Sequence, residues 1–443
     1  MIRVSNPVET GIVHLWDLPG DLVYVDIKTE WRNKLLNALR DLTQRKSWDG
    51  ISKLINVKPS NITAFISRDG KVRLKLLKKM VTFLTKKGYQ EFSLNNLETK
   101  IIRLGAKKNS KEIINPKLPF NFKTTNGGRF ISAILHDGGI NKGLQPFYMN
   151  YNGDMKKLVK KSVIKIFGNV QGKIDGKKQL TFPTVIGVIL VHCLGLPYGR
   201  KVMFNPGIPK FIFSNKRTKT AFVKQAFDDD GTVSIDNRSI SLKLYRDVTH
   251  FSKELREKIK KSKSSNFVTR LLLDNKKILE SLDITVKGPH FTYEYLVVKD
   301  NKKFYRYGWS IIISSFSEIK KFLENVNFEH LEKRKKLLKL LNNYKQMQYK
   351  NPLETALKFT IAINNEKGFF TSSDLMKETK RSISRVYYYL HNLERLGLIK
   401  KIKPLEMTCS GAIPAVFTLT ERGQDILKSP ESTSFNVDSL SIK

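Results

Sequence analysis

Length, composition and charge restrict what this chain can be. Its 443 residues, 40% of them hydrophobic, can bury several cores, so wholesale disorder is not expected. The 80 Lys and Arg residues against 40 Asp and Glu give a net charge of +40, which points to a polyanionic partner such as nucleic acid rather than to a merely solvated basic surface. No apolar run reaches the ~18 residues of a spanning helix. With no signal-peptide core and only two separated cysteines, the sequence predicts an intracellular protein, cytoplasmic or nucleoid-associated in a prokaryote, neither secreted nor membrane-bound.

Residues 1–93 are predicted to contain a helix-turn-helix. The segment SWDGISKLINV favours a short helix capped by Ser47 or Asp49, and KPSNITAFISR favours a second helix that starts at Pro59. Because the second helix is polar, it suits a major groove, although a helical bundle with no DNA role is the alternative. The predicted DNA-binding residues of this module are Ser60, Asn61 and Arg68.

Residues 94–125 are predicted to be a linker. They contain a basic run formed by Lys107, Lys108 and Lys111. The two prolines of INPKLPFNF favour an extended path.

An internal repeat begins after this linker. The pattern apolar-x-x-Ala-apolar-x-x-Asp-Gly occurs in FISAILHDGG and again in VKQAFDDDGT, each an apolar-faced stretch of helical length that ends at an Asp-Gly. The two acids are Asp137 and Asp230, 93 residues apart (230 − 137). Asp-Gly alone indicates only a turn, and it also occurs at Asp49, Asp69 and Asp175. The matched apolar positions favour two similar half-domains, residues 126–219 and 220–346, that bring the two carboxylates together.

Strand-like segments follow each Asp-Gly motif. SISLKLYR and GWSIIIS alternate apolar and polar residues, and helical segments lie between the strand-like ones. The repeat therefore predicts a mixed α+β architecture with antiparallel sheets. On the strand-like segment SISLKLYR, Lys243 and Arg246 are predicted to bind DNA.

Residues 351–430 are predicted to form a winged helix, followed by a disordered tail at 431–443. The predicted order is helix, helix, helix, strand, loop, strand, with Gly397 ending the third helix and residues 404–414 forming the wing. Winged helices also bind proteins, but the basic third helix favours DNA. The predicted DNA-binding residues of this module are Arg381, Ser382, Ser384, Arg385 and Tyr388.

The two motifs, RFISAILHDGGI and FVKQAFDDDGTV, resemble the duplicated signature of the LAGLIDADG homing endonucleases. GLPYGRKVMFNPGIPKFI and FLENVNFEHLEKRKKLLKLL resemble the segments that close the two halves of that fold. The likeness covers roughly Asn126 to Leu341. It implies a monomeric pseudo-twofold fold in which the motif helices pack together and two antiparallel sheets bind double-stranded DNA.

The resemblance also implies an activity, which is metal-dependent cleavage of both DNA strands. Carried over, the catalytic and metal-binding acids are Asp137 and Asp230. Lys201 and Lys333 are candidates for the catalytic basic residues that, in this family, stabilise the charge on the phosphate under attack. Paired carboxylates with Mg²⁺ can hold a scissile phosphate and help to generate hydroxide, which supports this assignment independently. A small-molecule substrate is not expected.

This sequence departs from the family pattern at several positions. Leu135 stands where the second motif has Asp228, so the outer acid exists in one copy only, and Ser132 and Gln225 occupy positions where the family has a small residue. His136 could assist a water molecule or merely line the site. Three functions therefore stay open: a site-specific endonuclease, a non-cutting transcriptional regulator on the same fold, or an RNA maturase. An intein is not expected, because the nucleophile and His-Asn pair of protein splicing are missing.

Overall fold

A computed structural model describes the molecule. The described residues are 7–43, 47–66, 71–106, 111–170, 173–175, 178–261, 267–299, 302–342, 352–379, 381–404, 406–408 and 411–425. The chain is an α+β protein whose sheets are antiparallel. It forms two compact units, one of residues 1–232 with 240–335 and the other of residues 233–239 with 336–443.

The N-terminal part of the first unit alternates short strands with helices. Its elements are β1 (Ile12–Val13), β2 (Tyr24–Ile27), α1 (Thr29–Asp41), α2 (Trp48–Leu54), α3 (Pro59–Ile66), β3 (Val72–Arg73), α4 (Leu74–Lys86), α5 (Leu94–Glu98), β4 (Ile101–Gly105), β5 (Ile113–Ile114) and β6 (Phe120–Asn121). Helix α2 begins after Ser47, whose hydroxyl accepts the amide of Gly50 at 3.0 Å. Helices α2 and α3 pack against each other, and Ile62 and Phe65 of α3 are buried.

The prediction of a linker at residues 94–125 is wrong for the described part of that segment. Strand β4 pairs with β2, and β5 pairs with β4, so the segment completes a sheet in the order β3-β2-β4-β5, with a fifth strand from the first half-domain at its edge. Leu104 and Ile113 pair in the ladder and are fully buried. The strands are short and their partners distant in sequence, so local composition does not reveal them. Lys107 and Lys108 of the basic run lie outside the described residues.

The first half-domain opens with the first motif helix. Its elements are α6 (Thr125–Leu135), β7 (Gly138–Ile140), β8 (Pro146–Met149), α7 (Gly153–Phe167), β9 (Asn169–Val170), β10 (Lys173–Asp175), β11 (Gln179–Thr181), α8 (Thr184–Val188) and α9 (Lys201–Phe204). Strand β9 joins the N-terminal sheet through β5. The other strands form a sheet in the order β10-β11-β8-β7.

The second half-domain repeats this plan. Its elements are α10 (Lys216–Asp230), β12 (Gly231–Ser234), β13 (Ser239–Asp247), α11 (Lys253–Lys261), α12 (Arg270–Glu280), β14 (Lys287–Lys299), β15 (Lys302–Ile313), α13 (Phe316–Asn325) and α14 (Leu331–Asn342). The sheet order is β14-β15-β13-β12, the same as in the first half when strands are matched in sequence order. The repeat seen in the motifs is thus a repeat of topology.

The two motif helices pack closely at a glycine. A Cβ atom added at Gly128 of α6 would lie 2.4 Å from the carbonyl oxygen of Thr218 in α10, so a larger residue here would push the helices apart. Close approach therefore depends on Gly128, one turn before Ser132. The bulk of Gln225 is accommodated, because its side chain turns towards the first half-domain, where its amide donates to the Tyr148 hydroxyl at 3.2 Å.

The second unit combines helices with a small sheet. Its elements are α15 (Pro352–Lys367), β16 (Phe370–Thr371), α16 (Ser372–Thr379), α17 (Ile383–Arg395), β17 (Ile399–Lys403), β18 (Glu406–Thr408), β19 (Gly411–Ile413), β20 (Val416–Leu419) and α18 (Glu421–Asp425). The sheet order is β16-β20-β17, and β18 pairs with β19 in a hairpin where the sequence predicted a loop. Thr371 caps α16, and Gly397, at φ +68°, follows the end of α17. The predicted tail at residues 431–443 lies outside the described residues.

Candidate active site

The site lies where the two motif helices end. Asp230 is the last residue of α10, and Asp137 follows α6 and its C-cap residue, His136. The carboxylates interact, because Asp137 is among the groups that raise the pKa of Asp230. The helices thus bring the two predicted acids into one site.

Both acids have a raised pKa. Burial is the main cause for Asp230, followed by the charge of Asp137, and together they raise its pKa to about 7 even though Lys201 and Lys333 act to lower it. Burial also raises the pKa of Asp137, against the lowering effects of the same two lysines and of Asn150. The Asn150 amide donates to Asp137 Oδ2 at 3.2 Å. Two half-buried carboxylates with raised pKa values form a site that favours a cation.

The two predicted lysines occupy equivalent places. Lys201 Nζ donates to the carbonyl oxygens of His136 and Gly138 at the end of the first motif helix, the latter at 2.8 Å. Lys333 Nζ donates to the carbonyl oxygens at the end of the second: Phe227 (3.0 Å), Asp228 (2.6 Å) and Asp229 (3.3 Å). Burial lowers the pKa of Lys201 to about 8 and also lowers the pKa of Lys333, while the nearby aspartates act in the opposite direction.

A third acid, Asp229, was missed by the sequence reasoning. Its Oδ1 accepts the Tyr148 hydroxyl at 2.6 Å and the Gln225 amide at 2.9 Å, and its Oδ2 is buried without a hydrogen-bond partner. Burial and the charge of Asp137 raise its pKa well above the usual range. Asn150 donates to the Tyr148 hydroxyl at 3.0 Å as well as to Asp137, so a hydrogen-bonded chain connects Asp229 to Asp137. The available signal was the run of three acids in FDDDGT.

His136 stands in the first motif at the position that Asp229 has in the second (136 + 93 = 229), and it is buried. Its Nδ1 lies 2.9 Å from the Ser132 carbonyl oxygen, and its Nε2 lies 3.3 Å from the amide nitrogen of Asn275 in the second half-domain. Burial lowers its pKa to about 3, so the ring is neutral. Each half-domain thus inserts the residue before its motif acid into the other, which ties the halves together.

Asp228, the outer acid, accepts two backbone amides. Its Oδ1 accepts His330 N at 2.9 Å and its Oδ2 accepts Glu329 N at 3.2 Å, just before α14 begins. Burial raises its pKa to about 6, although these hydrogen bonds lower it. The arrangement fixes the start of the helix that carries Lys333.

The donor set suits a hard cation such as Mg²⁺. Carboxylate oxygens are the protein ligands that Mg²⁺ prefers, and one or two suffice when water and phosphate supply the rest. Within the part of the chain that the structure describes, no group of three or more His, Cys, Asp and Glu side chains forms a metal cluster. Asp137 and Asp230 are the carboxylates at the ends of the motif helices that could hold such an ion.

A cleft of about 920 Å³ opens beside Asp137. Lys178, Lys201, Lys333 and His330 contribute to its lining. Tyr151 at its edge is 76% exposed and has Lys178 Nζ 4.4 Å from its ring centroid. The cleft combines cations with the acid, which suits a phosphate-bearing substrate.

The structure separates the two basic residues predicted on β13. Lys243 pairs with Ser310 and is exposed, whereas Arg246 pairs with Tyr307 and lies on the opposite face. Arg246 Nη1 donates to the Phe267 carbonyl oxygen at 3.0 Å, and its guanidinium lies 5.4 Å from the Phe251 ring centroid. Arg246 therefore does not share the face of Lys243, because residues three apart in a strand point to opposite faces, and its contact with DNA stays a prediction.

The other predicted DNA-binding residues lie on two helices and beside them. In α3, Ser60 and Asn61 are exposed, and Arg68 lies outside the described residues. In α17, Ser384, Arg385 and Tyr388 are exposed, whereas Val386, Tyr389, Leu390 and Leu393 are buried. Arg381 and Ser382 precede the first turn of α17 and are partly buried. Each helix thus presents polar residues on one face.

Comparisons with known proteins are sparse. No family model matches the sequence, and no curated protein matches it. Among solved structures, the chain is similar to one described as the crystal structure of the N-terminal LAGLIDADG domain of DUF199/WhiA, with a TM-score of 0.24 and 11% identity, over 47% of this chain and 84% of that chain. A likeness this weak carries no conclusion about activity. In the described part of the chain, no helix has the length and apolar character needed to cross a membrane.

Proposed function

We propose that this protein is a double-stranded DNA endonuclease whose active site is divided between its two half-domains. The observation that carries the proposal is the interaction of Asp137 and Asp230 at the ends of two paired helices. Two half-buried carboxylates with raised pKa values, one of which raises the pKa of the other, destabilise a fold unless they serve a purpose. A pure DNA-binding surface gains nothing from anions that face phosphates.

In this proposal Asp137 and Asp230 hold Mg²⁺, which supplies Lewis-acid activation of water and of the scissile phosphate. Lys201 and Lys333 hold the backbone at the two helix ends and lower the pKa of Asp230. Their cations also favour the charge that accumulates on a phosphate under attack. Asn150 orients Asp137 through its 3.2 Å hydrogen bond.

The remaining regions supply binding. A net charge of +40 favours nucleic acid, and the polar faces of α3 and α17 fit the roles of a helix-turn-helix and a winged helix. Among their residues, we propose Ser60, Asn61, Ser384, Arg385 and Tyr388 as DNA contacts.

A non-cutting regulator is the second candidate. The observation in its favour is that both lysines donate to backbone carbonyl oxygens, which leaves less of their hydrogen-bonding capacity for a substrate. In this reading the site is a retained structural element, and the chain only binds DNA.

The test is a cleavage assay on a library of random DNA duplexes with Mg²⁺, with binding measured in parallel. Asp137→Asn and Asp230→Asn should each abolish cleavage and retain binding, whereas the exposed control Asp41→Asn should cut normally. Duplex binding without cleavage in Mg²⁺ and in Mn²⁺ would favour the regulator. Failure to bind nucleic acid even at low salt would defeat both candidates.

A further inference from the structure

One face of the second half-domain's sheet carries a group of tyrosines that the proposed cleavage does not use. The strand register places Tyr245 of β13 and Tyr293 of β14 on either side of Gly308 in β15. The neighbouring row places Tyr295 beside Arg306. The Tyr245 ring centroid lies 5.6 Å from that of Tyr293 and 5.4 Å from that of Tyr295. Tyr245, Tyr293 and Tyr295 are here called the tyrosine platform.

Gly308 determines how the platform lies. A Cβ atom at position 308 would stand 2.9 Å from Cε1 of Tyr245, so the Tyr245 ring lies over the backbone of the middle strand, in space that any other residue would fill. Tyr293 is 42% exposed, so the platform offers aromatic surface to a partner.

The hydroxyl groups of the platform bind each other and a neighbouring arginine. Those of Tyr245 and Tyr293 share a hydrogen bond, and that of Tyr295 accepts Arg306 Nη1 at 3.3 Å. Because these hydroxyl groups already form hydrogen bonds within the protein, they have little hydrogen-bonding capacity left for the edges of bases. The chemistry left for a partner is that of the ring faces, which stack on planar groups.

Cations surround the platform, and an acid of the candidate active site is near it. Lys243 is exposed one row away on the same face of β13, and the Arg306 guanidinium lies 5.8 Å from the Tyr295 ring centroid. The pKa of Tyr245 is raised by burial, then by Tyr293 and Tyr295, and to a smaller extent by the charge of Asp230. Positive charge beside exposed rings matches a phosphate backbone that carries bases.

We propose that the tyrosine platform stacks the unpaired bases of a DNA strand. In a closed duplex the ring faces of the bases are stacked inside and only their edges are accessible, so a ring-face surface selects a strand whose bases are unpaired. The proposal rests on the DNA-binding function for the identity of the partner. It adds to that function that the DNA held at the platform is single-stranded.

The test compares the affinities of three oligonucleotides of one sequence: single-stranded DNA, duplex DNA and single-stranded RNA, each measured by fluorescence anisotropy. Tyr293→Leu removes an aromatic ring and should weaken single-stranded DNA binding about tenfold, with much less effect on the duplex. Tyr293→Phe keeps the ring and should bind single-stranded DNA like the native chain. Tyr305→Leu, on the opposite face of the same hairpin, is the matched control and should also bind normally.

Three results would overturn the proposal: an equal loss for Phe and Leu, an equal loss of duplex binding, or a ring dependence stronger for RNA than for DNA. Should Tyr293→Leu unfold, which thermal unfolding would reveal, Tyr293→Phe and Tyr293→Trp still vary the ring while keeping its aromatic face. Trp should then bind single-stranded DNA at least as tightly as Tyr, and a loss equal on all three oligonucleotides would count against stacking. If the native chain does not cleave DNA, the proposed endonuclease activity is wrong, but the binding measurements still test the tyrosine platform.

Discussion

The Tyr148 hydroxyl donates to Asp229 Oδ1 over 2.6 Å and so joins the sheet of the first half-domain to the motif helix of the second. Both side chains are largely buried, and Asn150 extends the contact to Asp137. The acids of the site are thus held by a network to which both halves contribute.

Tyr148→Phe should therefore destabilise the protein by about 1–3 kcal/mol, because Asp229 keeps only the Gln225 amide as a hydrogen-bond donor in a buried place. Thermal and denaturant unfolding measure this change. Tyr151→Phe removes a hydroxyl from a residue that is 76% exposed and should leave stability unchanged. Equal effects of the two substitutions would show that the buried network contributes nothing.

Asp230→Asn should stabilise the protein at neutral and alkaline pH. The folded-state pKa of about 7 lies above the ordinary value of 3.8, so the folded chain holds a proton more tightly than the unfolded chain. Folding stability is then lost as pH rises from about 4 to about 7, by an amount on the order of 2–4 kcal/mol. The Asn variant lacks this loss. The difference in unfolding free energy between variant and native chain should grow between pH 4 and pH 8, and a difference that does not change with pH would contradict this prediction.

Lys333→Met should lower stability and move the pH dependence of cleavage. The substitution removes donors to the carbonyl oxygens of Phe227, Asp228 and Asp229, with a loss of about 1–3 kcal/mol. It also removes a cation that lowers the pKa of Asp230, so the rise in cleavage with pH should shift to higher pH. Lys336→Met changes an exposed lysine on the same helix and is the control. An unchanged pH profile of cleavage for Lys333→Met would show that Lys333 does not influence the pKa of Asp230.

Local sequence patterns predicted those features that neighbouring residues determine. Apolar spacing and Asp-Gly ends indicated two helices that finish at Asp137 and Asp230, because helix length and termination depend on neighbouring residues. Lys201 and Lys333 came from the likeness of two short segments to the family. The structure places both lysines at the ends of the motif helices, and their catalytic role stays a prediction.

What the sequence did not reveal depends on distant pairing. Tyr148 matters because it contacts Asp229 and Gln225 of the second motif helix, and Asn150 because it joins Tyr148 to Asp137. No spacing within these segments indicates such contacts. The strands of residues 94–125 were missed for the same reason, since β4 finds its partner β2 far back in the chain. The separation of Arg246 from Lys243 was not foreseen either, because the alternation of side chains along β13 decides which face each takes.

Asp228→Ala should lower stability by about 1–3 kcal/mol, because the part-buried amides of Glu329 and His330 lose their acceptor. If Asp228 is structural, the folded variant should still cut DNA at saturating Mg²⁺ with near-native rate. Asp228→Asn keeps one acceptor oxygen and should lose less stability. Loss of cleavage in an Asp228→Asn protein of native stability would instead identify a third catalytic acid.

Arg385→Ala should weaken DNA binding without unfolding the second unit. Arg385 is exposed on α17, its guanidinium lies 5.3 Å from the Tyr388 ring centroid, and the helix packs through Val386, Leu390 and Leu393 on its other side. Removing one phosphate contact should reduce the slope of log affinity against log salt concentration by about one. Lys377→Ala removes an exposed cation from α16 and should leave that slope unchanged. Equal slopes for both variants and the native chain would mean that α17 does not contact DNA, and would leave the binding to the first unit.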